Sequence, residues 1–157
     1  MKNIVKVFVA LLVVTLLCGC GTKQEERVIK CTASQNNLAN GYEIKSEYNI
    51  YAKGDVVKSV KTKETVTSDQ EAILDTFETT LNSTYGTYSK EYGGYKYEIV
   101  KDNNNVTSNV EIDYSVMDLA RFANDNSVLK NYMNDNNELT VDGLKTMYKS
   151  LGATCED

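Results

Sequence analysis

The sequence predicts an α+β domain: a four-stranded antiparallel sheet made from two β-hairpins, with helices on one face. Three observations predict it. Segments 42–52, 95–99 and 106–114 alternate apolar and polar residues at a period of two, and segment 56–66 is rich in Val and Thr. Segments 73–81 and 144–151 carry apolar residues at helical spacing. Turn residues at Lys53-Gly54-Asp55 and Asp102–Asn105 join the strands in pairs. The order is ββαββα, which places helices over the apolar side of one sheet.

Taken in order, the chain opens with Lys2 and Lys6 and no acid, then the apolar run Val7–Leu17. Eleven residues is the length of a secretory signal core; a membrane-spanning helix needs roughly 20. The run ends in Leu17-Cys18-Gly19-Cys20, which resembles the lipobox of bacterial lipoproteins. An apolar residue stands three before Cys20 and a small residue just before it, and a thiol is required because the lipid is attached as a thioether. The alternative is an ordinary signal peptide with Cys20 incidental. The lipobox reading makes 1–19 a signal peptide, 20–30 a short tether and 31–157 a single domain. It places Cys20, carrying lipid, at the outer face of a bacterial cell membrane. Two acyl chains are what stable anchoring takes.

The full chain has a net charge of −5, and removal of the signal takes Lys2 and Lys6 but no acid. An acidic domain is repelled by nucleic acid and by anionic headgroups, so nucleic-acid binding is not expected. Once Cys18 and Cys20 are assigned, Cys31 and Cys155 remain, one near each end of the domain. In an exported chain an even remainder suggests a disulfide; free buried thiols, or a redox or metal pair, are the alternatives.

Within the domain, Tyr42, Ile44, Tyr48 and Ile50 share one face of a strand. The faces of 56–66 are less distinct, because Val56, Val57 and Val60 break the period, as a bulge does. Ser68-Asp69-Gln70-Glu71 reads as a capping box for a helix along Ile73, Leu74, Phe77 and Leu81, with Tyr85-Gly86 as its stop. Gly93-Gly94 breaks the chain before a strand with Tyr95, Tyr97 and Ile99 on one face. After the Asp102–Asn105 turn, Val106, Val110, Ile112 and Tyr114 share a face. Ser115 is the expected cap of a helix through Leu119 and Phe122, and the Asn/Asp-rich run after it reads as short helices and turns. Thr140 caps a last helix, whose stripe Leu144, Met147, Tyr148 and Leu151 faces the core and which Gly152 ends.

These features resemble the YehR-like lipoproteins, a bacterial family of unknown function. The resemblance spans roughly Cys31 to Cys155. It rests on the lipobox, the turn Gly54-Asp55, the strand ending Ile112-Asp113-Tyr114, and the close Leu151-Gly152-Ala153-Thr154-Cys155. It implies an α+β fold with an antiparallel sheet, and it brings no catalytic residues.

The chain has no histidine, so no Ser-His or Cys-His nucleophile system can form. The carboxylates Glu43, Glu47, Glu111 and Asp113 fall on polar strand faces. Asp102–Asn105 and Asn134–Glu138 offer oxygen ligands but lack EF-hand spacing, and turn chemistry accounts for both. No catalytic residue, metal or cofactor is therefore expected. Tyr88, Tyr92, Tyr95 and Tyr97 gather around Gly93-Gly94 as a candidate binding surface, with core packing as the competing explanation. The expectation is a non-enzymatic interaction module for an envelope protein partner; the alternative is a small-ligand-binding lipoprotein with a pocket between sheet and helices.

Overall fold

The computed structural model of the chain describes residues 24–156. The export segment and Cys20 lie outside the described residues. The described elements are β1 (Glu26–Asn37), β2 (Tyr42–Lys53), β3 (Val56–Thr67), α1 (Glu71–Tyr92), β4 (Tyr95–Asp102), β5 (Asn105–Asp113), α2 (Leu119–Asp125), α3 (Val141–Ser150) and β6 (Thr154–Cys155), with short 3-10 turns at Leu38–Asn40 and Ser127–Tyr132.

The strands form one antiparallel sheet in the order β4-β5-β3-β2-β1-β6. The sheet has six strands, which corrects the expected four. The two hairpins β2–β3 and β4–β5 are present, and β1 and β6 are added at one side. β1 begins at Glu26, inside the stretch read as tether. Its only buried side chains are Ile29 and Cys31, so it carries too few apolar residues for a visible alternation. β6 is two residues long and is held to β1 by the pairs Cys31–Cys155 and Thr32–Thr154.

The described helices lie over one face of the sheet. Antiparallel partners share a face, so inward residues line up in rows across the strands. The row Ile29–Ile50–Val60–Ile112–Tyr95 lies under α2, α3 and the second 3-10 turn, with Ile50, Val60 and Leu144 fully buried. The row Ile44–Val66–Val106 lies under Leu74, Phe77 and Leu81 of α1. A bulge in β3 sets this parity. Tyr51 pairs with Ser59 and Ala52 with Val57, which leaves Lys58 as the extra residue and lets Val57 and Val60 both point inward.

Several helix limits differ from the sequence expectation. α1 starts at Glu71 behind Gln70, which makes no side-chain cap. The Ser68 hydroxyl instead donates to the Gly41 carbonyl at 2.7 Å and accepts from the Gln70 amide at 3.1 Å, tying the strand end to the β1–β2 turn. The helix passes through Gly86, where the Tyr97 hydroxyl lies over the missing side chain, and ends only at Tyr92. Gly94 follows at φ +70°, where a Cβ would stand 2.6 Å from the Asp113 carbonyl. α2 is capped by Asp118 rather than Ser115, its carboxylate accepting from the Arg121 amide at 3.0 Å. The Ser115 hydroxyl is bound to Asp113 instead. Thr140 caps α3 as expected, accepting from the Gly143 amide at 3.0 Å. Leu151 is 52% exposed and is not part of the core stripe.

Gly143 tests how tightly α3 is seated. A Cβ there would stand 2.3 Å from the Tyr132 carbonyl oxygen. Helix propensity alone favours Gly143→Ala by about 1 kcal/mol. The clash with backbone reverses the sign, and a net loss of about 1–3 kcal/mol is expected from denaturant unfolding. A stabilised variant would show that the 3-10 turn does not press on α3.

Candidate functional site

The structure separates the four tyrosines of the expected binding surface. Tyr92 and Tyr95 are buried, and Tyr88 packs between them and Phe122, with ring centroids 5.7–6.0 Å from its neighbours. These three form a core cluster with Val110 and Met117 and do not make a recognition surface. Tyr97 differs: it is 37% exposed, on edge strand β4, with its ring 6.0 Å from that of Tyr85.

The buried tyrosines titrate as core groups. Burial raises Tyr95, Tyr114 and Tyr148, and burial with the nearby Glu64 charge pushes Tyr85 up to about 12. A folded-state value above the unfolded one makes its stability contribution complete below about pH 10 and lost as pH rises through the folded value. Stability is therefore expected to fall above about pH 10, with tyrosinate absorbance rising together with loss of circular dichroism. Tyrosinate forming at the rate of free tyrosine, with the fold intact, would contradict this burial.

Cys31 and Cys155 are joined by a disulfide across a sequence separation of 124. It closes the sheet edge at β1–β6 and is structural in position, with Cys31 buried under α3.

Among the described residues, no helix packs on the opposite face of the sheet. Register brings Asn49, Lys61, Glu111 and Lys96 into one row and Glu47, Lys63, Asn109 and Glu98 into the next. All of these but Glu47 line a groove of about 360 Å³, to which Tyr97 also contributes. Lys61 pairs with Glu111 at 3.6 Å and lies 5.7 Å from the Tyr51 ring centroid. Lys63 and Lys96 form no ion pair among the described residues. The groove lining sets three lysines against two glutamates, on a chain of net charge −5. Sequence reading placed Glu111 on a polar face but could not assemble the groove, because cross-strand register depends on contacts distant in sequence.

The helix-covered face also holds a polar row that sequence reading missed: Ser46, Glu64 and Ser108, side by side on β2, β3 and β5. The parity signal existed, since Glu64 lies two residues from Val66 and four from Val60.

In the Asn-rich run, the Asn134 side-chain oxygen accepts from the Asn136 and Glu138 amides at 3.0 Å each. That is turn chemistry, and among the described residues no three His, Cys, Asp or Glu side chains gather as metal ligands. No helix among the described residues is long and apolar enough to cross a membrane.

No family model and no curated protein sequence matches the chain. Two solved structures share its fold. The NMR structure of the Escherichia coli YehR protein aligns with a TM-score of 0.55 at 19% identity, covering 84% of this chain and 91% of that one. The NMR structure of a protein from Streptococcus pneumoniae TIGR4 aligns with a TM-score of 0.51 at 14% identity, covering 89% and 90%.

Proposed function

We propose that the chain is a lipoprotein of the YehR-like family, anchored through Cys20 on the outer face of the cell membrane. Its role is to dock an acidic, extended segment of an envelope protein on the uncovered face of the sheet. The groove carries this reading: Lys63 and Lys96 form no ion pair there among the described residues, on a domain that is acidic as a whole, and regular strands floor it. The strands are long and paired, so the surface is preformed and little ordering entropy opposes binding.

The fold shared with E. coli YehR and the lipobox at Leu17–Cys20 support the family and the anchor. Glu26 opens β1 only six residues after Cys20, so that segment reaches at most about 20 Å. The docking face is thereby held close to the membrane, where its partner must also lie. Binding without chemistry accords with a chain that lacks histidine and in which Asp113 serves a turn and Glu111 an ion pair.

Cross-linking in intact cells tests the reading with three forms: the native chain, Cys20→Ala, and Lys63→Glu with Lys96→Glu. A discrete adduct to an acidic stretch, lost in the second and third forms, is the expected result. An adduct that survives the double charge reversal excludes this groove as the docking surface.

A further inference from the structure

On the helix-covered face the row Ala33–Ser46–Glu64–Ser108–Ile99 puts three polar residues side by side between the apolar core under α1 and that under α3. Ser46 and Ser108 are buried there, Ser108 to 1% exposure, and Glu64 is half-buried. The Ser46 hydroxyl donates to the Glu64 carboxylate at 3.1 Å, which leaves acceptor positions on that carboxylate open. The Ser108 hydroxyl, on the residue directly opposite Glu64, has no hydrogen-bond partner among the described residues. A buried hydroxyl without a partner is costly, and native structures rarely tolerate one without a bound group to satisfy it.

We infer that this row is a binding site for a small primary ammonium, with Glu64 as counter-charge and Ser108 as a hydrogen-bond acceptor. The chemistry is selective. Glu64 forms no ion pair among the described residues, so the site has one uncompensated negative charge. Burial and, after it, the Glu64 charge raise the Tyr48 and Tyr85 hydroxyls, so both feel this carboxylate. A lone carboxylate among hydroxyls falls short of a calcium site, which takes roughly six to eight oxygens. An N–H₃⁺ group instead needs only a few acceptors around it. The inference is independent of the docking reading, because it uses the other face of the sheet.

The test is a titration of the ¹⁵N-labelled protein with methylammonium chloride, against potassium chloride and tetramethylammonium chloride at equal ionic strength. Methylammonium is expected to give saturable shifts at the Ser46, Glu64 and Ser108 amides, with no such response to the other two salts. Glu64→Gln should weaken binding about tenfold. Ser108→Ala should also weaken it, while raising the thermal midpoint of the free protein by removing the unpartnered hydroxyl. No saturation, as when water alone fills the row, overturns the inference. So does an equal response to potassium or tetramethylammonium, or binding unchanged by Glu64→Gln.

Discussion

Replacing both Cys31 and Cys155 with alanine is expected to lower stability by about 4–5 kcal/mol, the loop-entropy value for a closure of this length. The bond spans 124 residues, so nearly the whole domain lies inside the loop that it closes. Little else holds β6: two paired residues and the Glu156 amide donating to the Lys30 carbonyl at 2.8 Å. The C-terminal end of α3 runs into that strand, so its seat on the core depends on the same tie. At about 4 °C per kcal/mol for a domain of this size, the thermal midpoint should fall by roughly 15–20 °C. Reductant should bring the native protein down to the same midpoint and leave the double variant unmoved. A double variant within about 1 kcal/mol of the native protein would show that the closed loop does not limit the unfolded state.

Leu144→Ala is expected to cost about 2–5 kcal/mol, whereas Leu151→Ala should stay within about 0.5 kcal/mol. Both residues belong to one apolar stripe in the sequence, seven positions apart. Leu144 is fully buried over Ile50, Val60 and Leu139, whereas Leu151 lies beyond the last turn of α3 and faces solvent. Denaturant midpoints of the two variants measure the contrast. Equal losses would place Leu151 in the core and contradict the described end of α3.

What the sequence made legible was local. β2 could be read because five of its inward positions, Tyr42, Ile44, Tyr48, Ile50 and Ala52, are apolar on a helix-covered face. The Asp102–Asn105 turn could be read because Asn103 adopts φ +42°, which asparagine tolerates. The Thr140 cap needed only its own first turn. β1 was hidden because an edge position buries just Ile29 and Cys31, and its other residues are as polar as a linker. Ser68 looks like a cap but its hydroxyl donates to Gly41, a partner that only the tertiary fold supplies, while Ser115 turns back locally onto Asp113 two residues before it. The packing of Tyr88, Tyr92 and Tyr95 in the core has a related reason. Tyrosine suits a binding surface and a half-polar core equally, and Phe122, from a distant helix, decides the matter by packing on three of the four. The groove and the Ser46–Glu64–Ser108 row both depend on register, which the bulge at Lys58 sets and local pattern obscures.

Docking of an acidic partner segment on the uncovered sheet face, as proposed, has a direct test at the membrane. The most direct measurement places a photoreactive residue at Asn109, in the groove, and separately at Thr146, exposed on α3, in the anchored protein in living cells. The account predicts a discrete adduct from position 109 that maps to an acidic stretch, is absent from position 146, and disappears with Lys63→Glu and Lys96→Glu. An adduct from position 146 alone, or no adduct from position 109 with the anchor confirmed, would contradict it.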